Sequence, residues 1–190
     1  MQITVRRATL DDVDALARIN IDTWRSAYTG IVPQPRIDGM DLAAHRVRWI
    51  DNVTTGRPGV AFFVAELDGD PAGYSIGGPY RPQEEAGPEV TDRLGELYAI
   101  YVEPPRQGRG LGSALHTALL EWLAGEGYTE VALWVLEANR PSRNWYADRG
   151  WHADGGTGVW VAEGQRLPEL RLRHDLPSGS AVRSPSDQGE

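Results

Sequence analysis

The chain of 190 residues contains no cysteine, which excludes disulfides, a thiolate nucleophile and cysteine-based metal sites. It also contains no lysine, because all 19 of its basic residues are arginine, and its 27 acidic residues leave a formal net charge of −8. No run of residues concentrates positive charge. Since Lys and Arg supply much of the affinity for nucleic acid, this balance argues against a nucleic-acid partner. It is compatible with cationic substrates such as amines.

Long apolar segments are missing as well. The chain has no 18-residue apolar run, and its first residues, MQITVRRATLDD, lack the hydrophobic centre of a signal peptide. We therefore expect a cytoplasmic protein without a membrane partner. The four histidines are far apart and lack metal-ligand spacing, so we expect no bound metal. The length and a hydrophobic content of 41% predict one domain with a real core.

Hydrophobic periodicity predicts the order β-α-α-β-β-β-α-β-α-β-β. The predicted strands cover residues 3–7, 60–67, 72–78, 94–102, 128–136, 151–162 and 167–172, and the predicted helices cover about 12–28, 41–50, 111–122 and 141–149. The domain is predicted over residues 1–176. Residues 177–190 are polar without periodicity, and we interpret them as a disordered tail.

The stretch from Glu96 to Gly112, ELYAIYVEPPRQGRGLG, is the most informative part of the sequence. An apolar strand enters a glycine-rich turn, and the turn opens an amphipathic helix. Such a helix start presents unpaired N–H groups, and glycines allow the backbone to approach a phosphate. A tight connection that is glycine-rich only for packing remains an alternative. A P-loop is excluded because no Gly-Lys-Ser/Thr follows, and a dinucleotide fingerprint is excluded because the spacing is GxGxG.

The turn closely resembles the pyrophosphate-binding loop of the GNAT superfamily of N-acetyltransferases. That loop reads Gln/Arg-x-x-Gly-x-Gly/Ala after a strand that ends in Val, and the chain matches it with Gln107, Gly110 and Gly112 after Val102.

A second part of the family signature follows about 30 residues later. It consists of Asn139, the pair Trp145-Tyr146 and the step Gly150-Trp151. Trp145 stands where the family usually has Phe or Leu, and Trp151 stands where Phe is usual. Both residues are still large and apolar, and with the predicted element order the resemblance covers roughly residues 3–176.

The resemblance implies an α/β (α+β) fold with a mixed, largely antiparallel central sheet, helices on both faces, and splayed fourth and fifth strands. It also implies acetyl-CoA as co-substrate. Backbone N–H groups of the turn would bind the pyrophosphate, the fourth strand would pair with the pantetheine arm, and Asn139 would hydrogen-bond that arm or cap a helix, or do both. The implied cofactor-binding residues are Ile100, Tyr101, Val102, Gln107, Gly108, Arg109, Gly110, Leu111, Gly112, Ser113 and Asn139.

The resemblance also suggests two catalytic residues. Tyr146 matches the family tyrosine that protonates the thiolate leaving group, although it could be an ordinary core tyrosine. Glu96 lies within an apolar strand, where burial would raise its pKa and suit it to accept a proton through water. The alternatives for Glu96 are a substrate-binding or edge-exposed role, and many family members use another group or water alone.

The acceptor side is predicted around Trp24, Tyr28 and Tyr98. The first two precede the segment that varies with substrate in the family, and Tyr98 shares a strand face with Glu96. Trp24 and Tyr28 could equally anchor the helix pair. The acidic residues 84, 85, 89 and 92 could attract a cationic acceptor, although a solvated loop explains them as well.

The residues together favour transfer of an acetyl group from acetyl-CoA to a small-molecule or peptide amine. A non-catalytic acyl-CoA-binding or regulatory module is the alternative, and a homodimer is compatible with the family. The sequence GYSIG around Ser75 matches the hydrolase motif GxSxG. We reject it, because the nucleophile elbow requires a following helix and Gly78-Pro79 follow instead.

Overall fold

A computed structural model describes residues 1–82, 87–88 and 90–177. The predicted tail, apart from Pro177, lies outside these residues, and so do three of the acidic loop residues, Glu84, Glu85 and Glu89. The strands are β1 (Ile3–Arg7), β2 (Ala61–Leu67), β3 (Asp70–Pro79), β4 (Leu94–Val102), β5 (Glu130–Leu136), β6 (His152–Ala162) and β7 (Gln165–Asp175). The α-helices are α1 (Val13–Tyr28), α2 (Gln34–Asp38), α3 (Leu42–Thr55), α4 (Leu111–Gly125) and α5 (Arg140–Ala147).

The seven strands form one sheet in the order β1-β2-β3-β4-β5-β7-β6. Every neighbouring pair is antiparallel except β4–β5, which is parallel. Parallel neighbours need a crossover, and α4 provides it. The predicted mixed, largely antiparallel sheet is confirmed.

Helices cover both faces of the sheet. On one face α4 buries Leu115, Leu119 and Leu123, which recur at four-residue spacing along the helix. On the other face α1 and α3 contribute Leu16 and Trp49 to a separate apolar cluster. The sheet therefore separates two apolar layers, and β4 lies between them at its centre.

The pairing of β4 with β5 is short. It covers only Leu94–Glu130, Gly95–Val131 and Glu96–Ala132, after which β5 continues its pairing with β7 alone. The rest of β4, toward Val102, keeps its partner β3 on one side only. The predicted splay of the fourth and fifth strands is confirmed, and it leaves main-chain groups of β4 without a strand partner on the side of β5.

Two local features differ from the predictions. No element was predicted between residues 28 and 41, whereas a short helix, α2, covers Gln34–Asp38. Pro35 lies in its first turn, where proline lacks only an N–H that has no helical partner. The second feature is a bulge in β4, which was predicted as a regular strand. Ile76 pairs with Ala99 and Gly77 pairs with Leu97, so Tyr98 has no partner residue on β3.

A buried histidine joins α4 to the strand end that carries Trp151. The indole Nε1–H of Trp151 donates to Nε2 of His116 at 2.9 Å, and the His116 side chain is buried. This hydrogen bond needs a lone pair on Nε2 and therefore a neutral ring. Burial, with smaller contributions from His174 and Arg149, lowers the pKa of His116 to about 4.

The protein should therefore lose stability as the pH falls from about 6.5 to about 4, because over that range the unfolded state protonates His116 and the folded state does not. Chemical denaturation at pH 7 and pH 5 measures the loss. It should be smaller in a His116→Gln variant, which cannot take up this proton. An equal loss of stability in both proteins would show that groups other than His116 cause the loss at acid pH.

Candidate active site

The splay between β4 and β5 opens a cleft of about 650 Å³, called the large cleft here. One wall is the end of β4, and another is the glycine turn with the first turn of α4. The remaining walls come from the end of α1 and from α5. The lining includes Thr23, Tyr28, Ile100, Tyr101, Val102, Arg106, Gln107, Gly108, Gly110, Leu111, Gly112, Ser113, Asn139, Trp145, Tyr146 and Arg149.

The glycine turn contributes backbone groups to the wall of the large cleft. Gly108 and Gly110 have φ angles of +74° and +91°, a region that favours glycine. The first helical hydrogen bond of α4 joins the Ala114 N–H to the Gly110 carbonyl at 3.0 Å. The N–H groups of the preceding residues, 111–113, have no acceptor within the helix. The turn is held by the Gln107 side chain, whose Nε2–H donates to the Val102 carbonyl at 3.0 Å.

Positive side chains flank this turn. Arg106 and Arg149 line the large cleft, whereas Arg109 does not. Arg149 donates to the Ser113 hydroxyl at 2.8 Å and lies over the Trp145 ring, 3.7 Å from its centroid. Arg106 is already paired with Glu103 at 3.0 Å. The partial positive charge of the helix start and the Arg149 guanidinium are therefore the groups that favour an anion beside the glycine turn.

Tyr146 and Asn139 lie on the α5 wall of the same cleft. Asn139 begins α5, and its side-chain oxygen accepts a hydrogen bond from the Ser142 N–H at 3.2 Å, so its predicted capping role is observed. Burial, and secondarily the nearby Tyr28 hydroxyl, raises the pKa of Tyr146 well above its ordinary value. The phenol keeps its proton at neutral pH, as an ordinary tyrosine also does, so it can act as a proton donor.

A second, smaller cleft of about 420 Å³ lies on the other side of Tyr101, and it is called the small cleft here. Tyr101 lines both clefts, and its hydroxyl lies 3.4 Å from that of Tyr28. The predicted acceptor-side residues are divided between them: Trp24 and Tyr98 line the small cleft, whereas Tyr28 lines the large one. Trp24 and Tyr28 also pack together, with ring centroids 4.8 Å apart.

Glu96 lies beneath the small cleft rather than in its wall, and only 1% of it is exposed. Its carboxylate accepts a hydrogen bond from the backbone N–H of Arg81 at 2.8 Å. It also forms an ion pair with the Arg81 guanidinium at 2.5 Å. The same guanidinium lies over the Tyr98 ring, 3.8 Å from its centroid. Glu96 is therefore a paired buried carboxylate, and the structure does not bring it into one cleft with Tyr146.

Residues 21–151 match the family model described as the acetyltransferase (GNAT) family. The chain belongs to the GNAT acetyltransferase family. The curated relatives include the uncharacterized N-acetyltransferase YuaI of Bacillus subtilis, which is 31% identical over 137 residues, covering 72% of this chain and 73% of YuaI.

Solved structures share the GNAT fold. The ribosomal-protein-alanine N-acetyltransferase of Brucella melitensis superposes with a TM-score of 0.69 at 26% identity, covering 91% of this chain and 99% of that one. The PaiA N-acetyltransferase of Thermoplasma acidophilum, crystallised with coenzyme A, gives a TM-score of 0.66 at 16% identity, covering 92% and 99%.

Two charged residues, Arg81 and Glu169, act on groups of the site and were not predicted from the sequence. Arg81, the partner of Glu96, follows a strand end and gives no signal of the pairing. Glu169 on β7 is a half-buried carboxylate whose pKa is raised by burial and by the nearby Glu96, and its charge also acts on the Tyr28 hydroxyl. Only the sheet order β4-β5-β7 places it there.

The described residues contain neither a group of metal ligands nor a membrane-spanning helix. Within the parts of the chain that the structure describes, no three His, Asp or Glu side chains are grouped as metal ligands. None of the helices in those parts is both long and apolar enough to cross a bilayer.

The glycine turn can be tested by Gly110→Glu. The added side chain should place a negative charge at the helix start and displace an anion from it, so we expect coenzyme A to bind at least about tenfold more weakly. Isothermal titration calorimetry measures the change.

Gly127→Glu is the matched control. Gly127 has nearly the same φ angle, +94° against +91°, is also exposed, and follows the opposite end of α4. This control therefore reproduces the backbone strain and the charge while leaving affinity unchanged. Normal coenzyme A binding by Gly110→Glu would place the phosphate site elsewhere.

Proposed function

We propose that this GNAT-family protein transfers an acetyl group from acetyl-CoA to a primary amine by direct attack in a ternary complex. The observation that carries the proposal is the large cleft, which runs from the glycine turn along the unpaired side of β4 to Tyr146. One end of the cleft favours a diphosphate, and the other holds a protonated phenol.

The cofactor residues would act as follows. The N–H groups at residues 110–113 bind the pyrophosphate, supported by the guanidinium group of Arg149. The segment Ile100–Val102 offers the main-chain side that has no strand partner to the amide groups of the pantetheine arm, as an added strand would. A shared fold with proteins crystallised with coenzyme A supports this donor.

The reaction forms one bond and breaks one. The amine nitrogen attacks the thioester carbon, a main-chain N–H of β4 stabilises the oxyanion, and the C–S bond then breaks. Such an oxyanion donor contributes roughly 3–4 kcal/mol in other enzymes. The Tyr146 hydroxyl gives its proton to the departing thiolate. Direct attack is favoured because the chain has no cysteine to carry the acetyl group.

The amine must also lose a proton, and two carboxylates are candidates to accept it. Glu96 would act through water, since it is buried beneath Arg81. Glu169 lines neither cleft, but its charge acts on the Tyr28 hydroxyl, and its raised pKa suits a base that works near neutrality. Because Glu96 is paired with Arg81, its role as the base must be tested against that of Glu169.

The proposed function is tested by incubating the protein with acetyl-CoA and a panel of amines: antibiotic amines, polyamines, amino acids and peptide N-termini. Release of free thiol measures transfer. We expect thiol release that depends on one amine class. Tight binding of acetyl-CoA without thiol release from any amine would favour the non-catalytic module instead.

Tyr146→Phe should lower kcat by about 10²–10⁴-fold, because the thiolate would leave without its proton donor. The dissociation constant of acetyl-CoA should change little, since the ring remains in the cleft wall. Tyr128→Phe, which removes a hydroxyl outside both clefts, is the control. Turnover equal to that of the wild type in Tyr146→Phe would remove the phenol from the mechanism.

The base is identified from pH–rate profiles of Glu96→Gln and Glu169→Gln. The variant that lacks the base should lose rate most at lower pH, where the amine most needs help in losing its proton. We expect this for Glu96→Gln, with melting temperature as a check on folding, because the substitution also breaks the pair with Arg81. If only Glu169→Gln changes the profile, Glu169 is the base and Glu96 has a structural role.

A further inference from the structure

The small cleft is lined by an excess of positive charge. Four arginines contribute to its walls, namely Arg36, Arg48, Arg57 and Arg81, and Asp41 is the one acidic residue among the described residues that line it. The chain as a whole has a net charge of −8. The small cleft is therefore locally positive in a chain whose net charge is negative.

Three of these arginines are available to a ligand. Arg81 is paired with Glu96, but Arg36, Arg48 and Arg57 form no ion pair with any residue in the described ranges, and all three are exposed. The Asp41 carboxylate is already engaged, because it accepts a hydrogen bond from the Ala44 N–H at 2.8 Å at the start of α3.

The positive charge of two of these arginines affects the pKa of His45, which lines the small cleft. His45, on its wall, has a lowered pKa, caused first by burial and then by the positive charges of Arg48 and Arg36. The raising effect of Asp41 is the smallest contribution. Two arginines thus outweigh the one acid at a half-buried point within the cleft.

The remaining walls are aromatic, and they include Trp24, Trp49 and Tyr98. A cleft with an apolar wall and a cationic rim fits a compact molecule that has an anionic end. Tyr101 forms the boundary with the large cleft, so a ligand in the small cleft lies beside the β4 segment that is proposed to hold the thioester.

We propose that the acceptor amine also carries an oxyanion group, a carboxylate or a phosphate, which Arg36, Arg48 and Arg57 bind in the small cleft. This inference rests on the proposed acetyl transfer and names its substrate class. Guanidinium groups bind both oxyanions through paired, charge-assisted hydrogen bonds. The amine would then point past Tyr101 toward the thioester. The negative net charge of the chain is compatible with cationic substrates but does not indicate this anionic group.

Binding is measured first, by calorimetry on the coenzyme A complex, with matched pairs of amines. β-Alanine is compared with β-alaninamide, and phosphoethanolamine with ethanolamine, while spermidine represents cationic amines. We expect the anionic member of at least one pair to bind about tenfold or more tightly than its neutral counterpart, and the pair concerned distinguishes carboxylate from phosphate. Equal binding within both pairs, or tighter binding of spermidine, would overturn the inference.

Arginine variants then assign the effect to the small cleft. Arg48→Gln and Arg57→Gln should each raise the KM of the preferred anionic amine about tenfold, leave the dissociation constant of acetyl-CoA unchanged, and weaken the dependence of KM on salt. Arg18→Gln is the control, because Arg18 is an exposed arginine on α1 outside both clefts.

The two proposals fail in different ways. Thiol release from a neutral or cationic amine, insensitive to Arg48→Gln and Arg57→Gln, would refute the anionic acceptor while the acetyl transfer stands. Binding of an anionic amine that depends on these arginines, with no thiol release from any amine, would refute the transfer and retain the anion site.

Discussion

The structure depends on the loss of hydrogen bonding between two neighbouring strands. β4 and β5 pair through Glu96 and Ala132 and then separate, because β5 continues beside β7 while β4 runs on to the glycine turn. Backbone groups without a partner are costly inside a protein, so they occur where a ligand can supply one. The large cleft, the exposed side of β4 and the position of α5 all follow from this separation.

The two clefts have distinct electrostatic characters, and Tyr101 stands between them. The large cleft combines main-chain N–H groups at the start of α4 with a phenol whose pKa is raised by burial. The small cleft combines aromatic walls with arginines drawn from α2, α3 and the segments around them. Such an arrangement suits a reaction in which a donor in the large cleft and an acceptor in the small cleft meet beside Tyr101.

Much of the fold and part of the site could be predicted from the sequence, because their signals are local. The alternation of strands, the helical spacing after Leu111 and the spacing from Gln107 to Gly112 each depend on residues close in the chain. The pair of Arg81 with Glu96 and the cluster of Arg36, Arg48 and Arg57 could not be predicted, since tertiary packing alone brings those residues together. Helix α2 was missed for a different reason, because its five residues are too few to show a helical period.

The central claim is that main-chain N–H groups at the start of α4 bind the diphosphate of the cofactor. A titration of ¹⁵N-labelled protein with coenzyme A, followed by amide NMR spectra, tests it most directly. The largest shifts should fall on the amides of Gly110, Leu111, Gly112 and Ser113, with smaller shifts along Ile100–Val102. Unchanged amides at the start of α4, with shifts confined to the small cleft, would contradict the account.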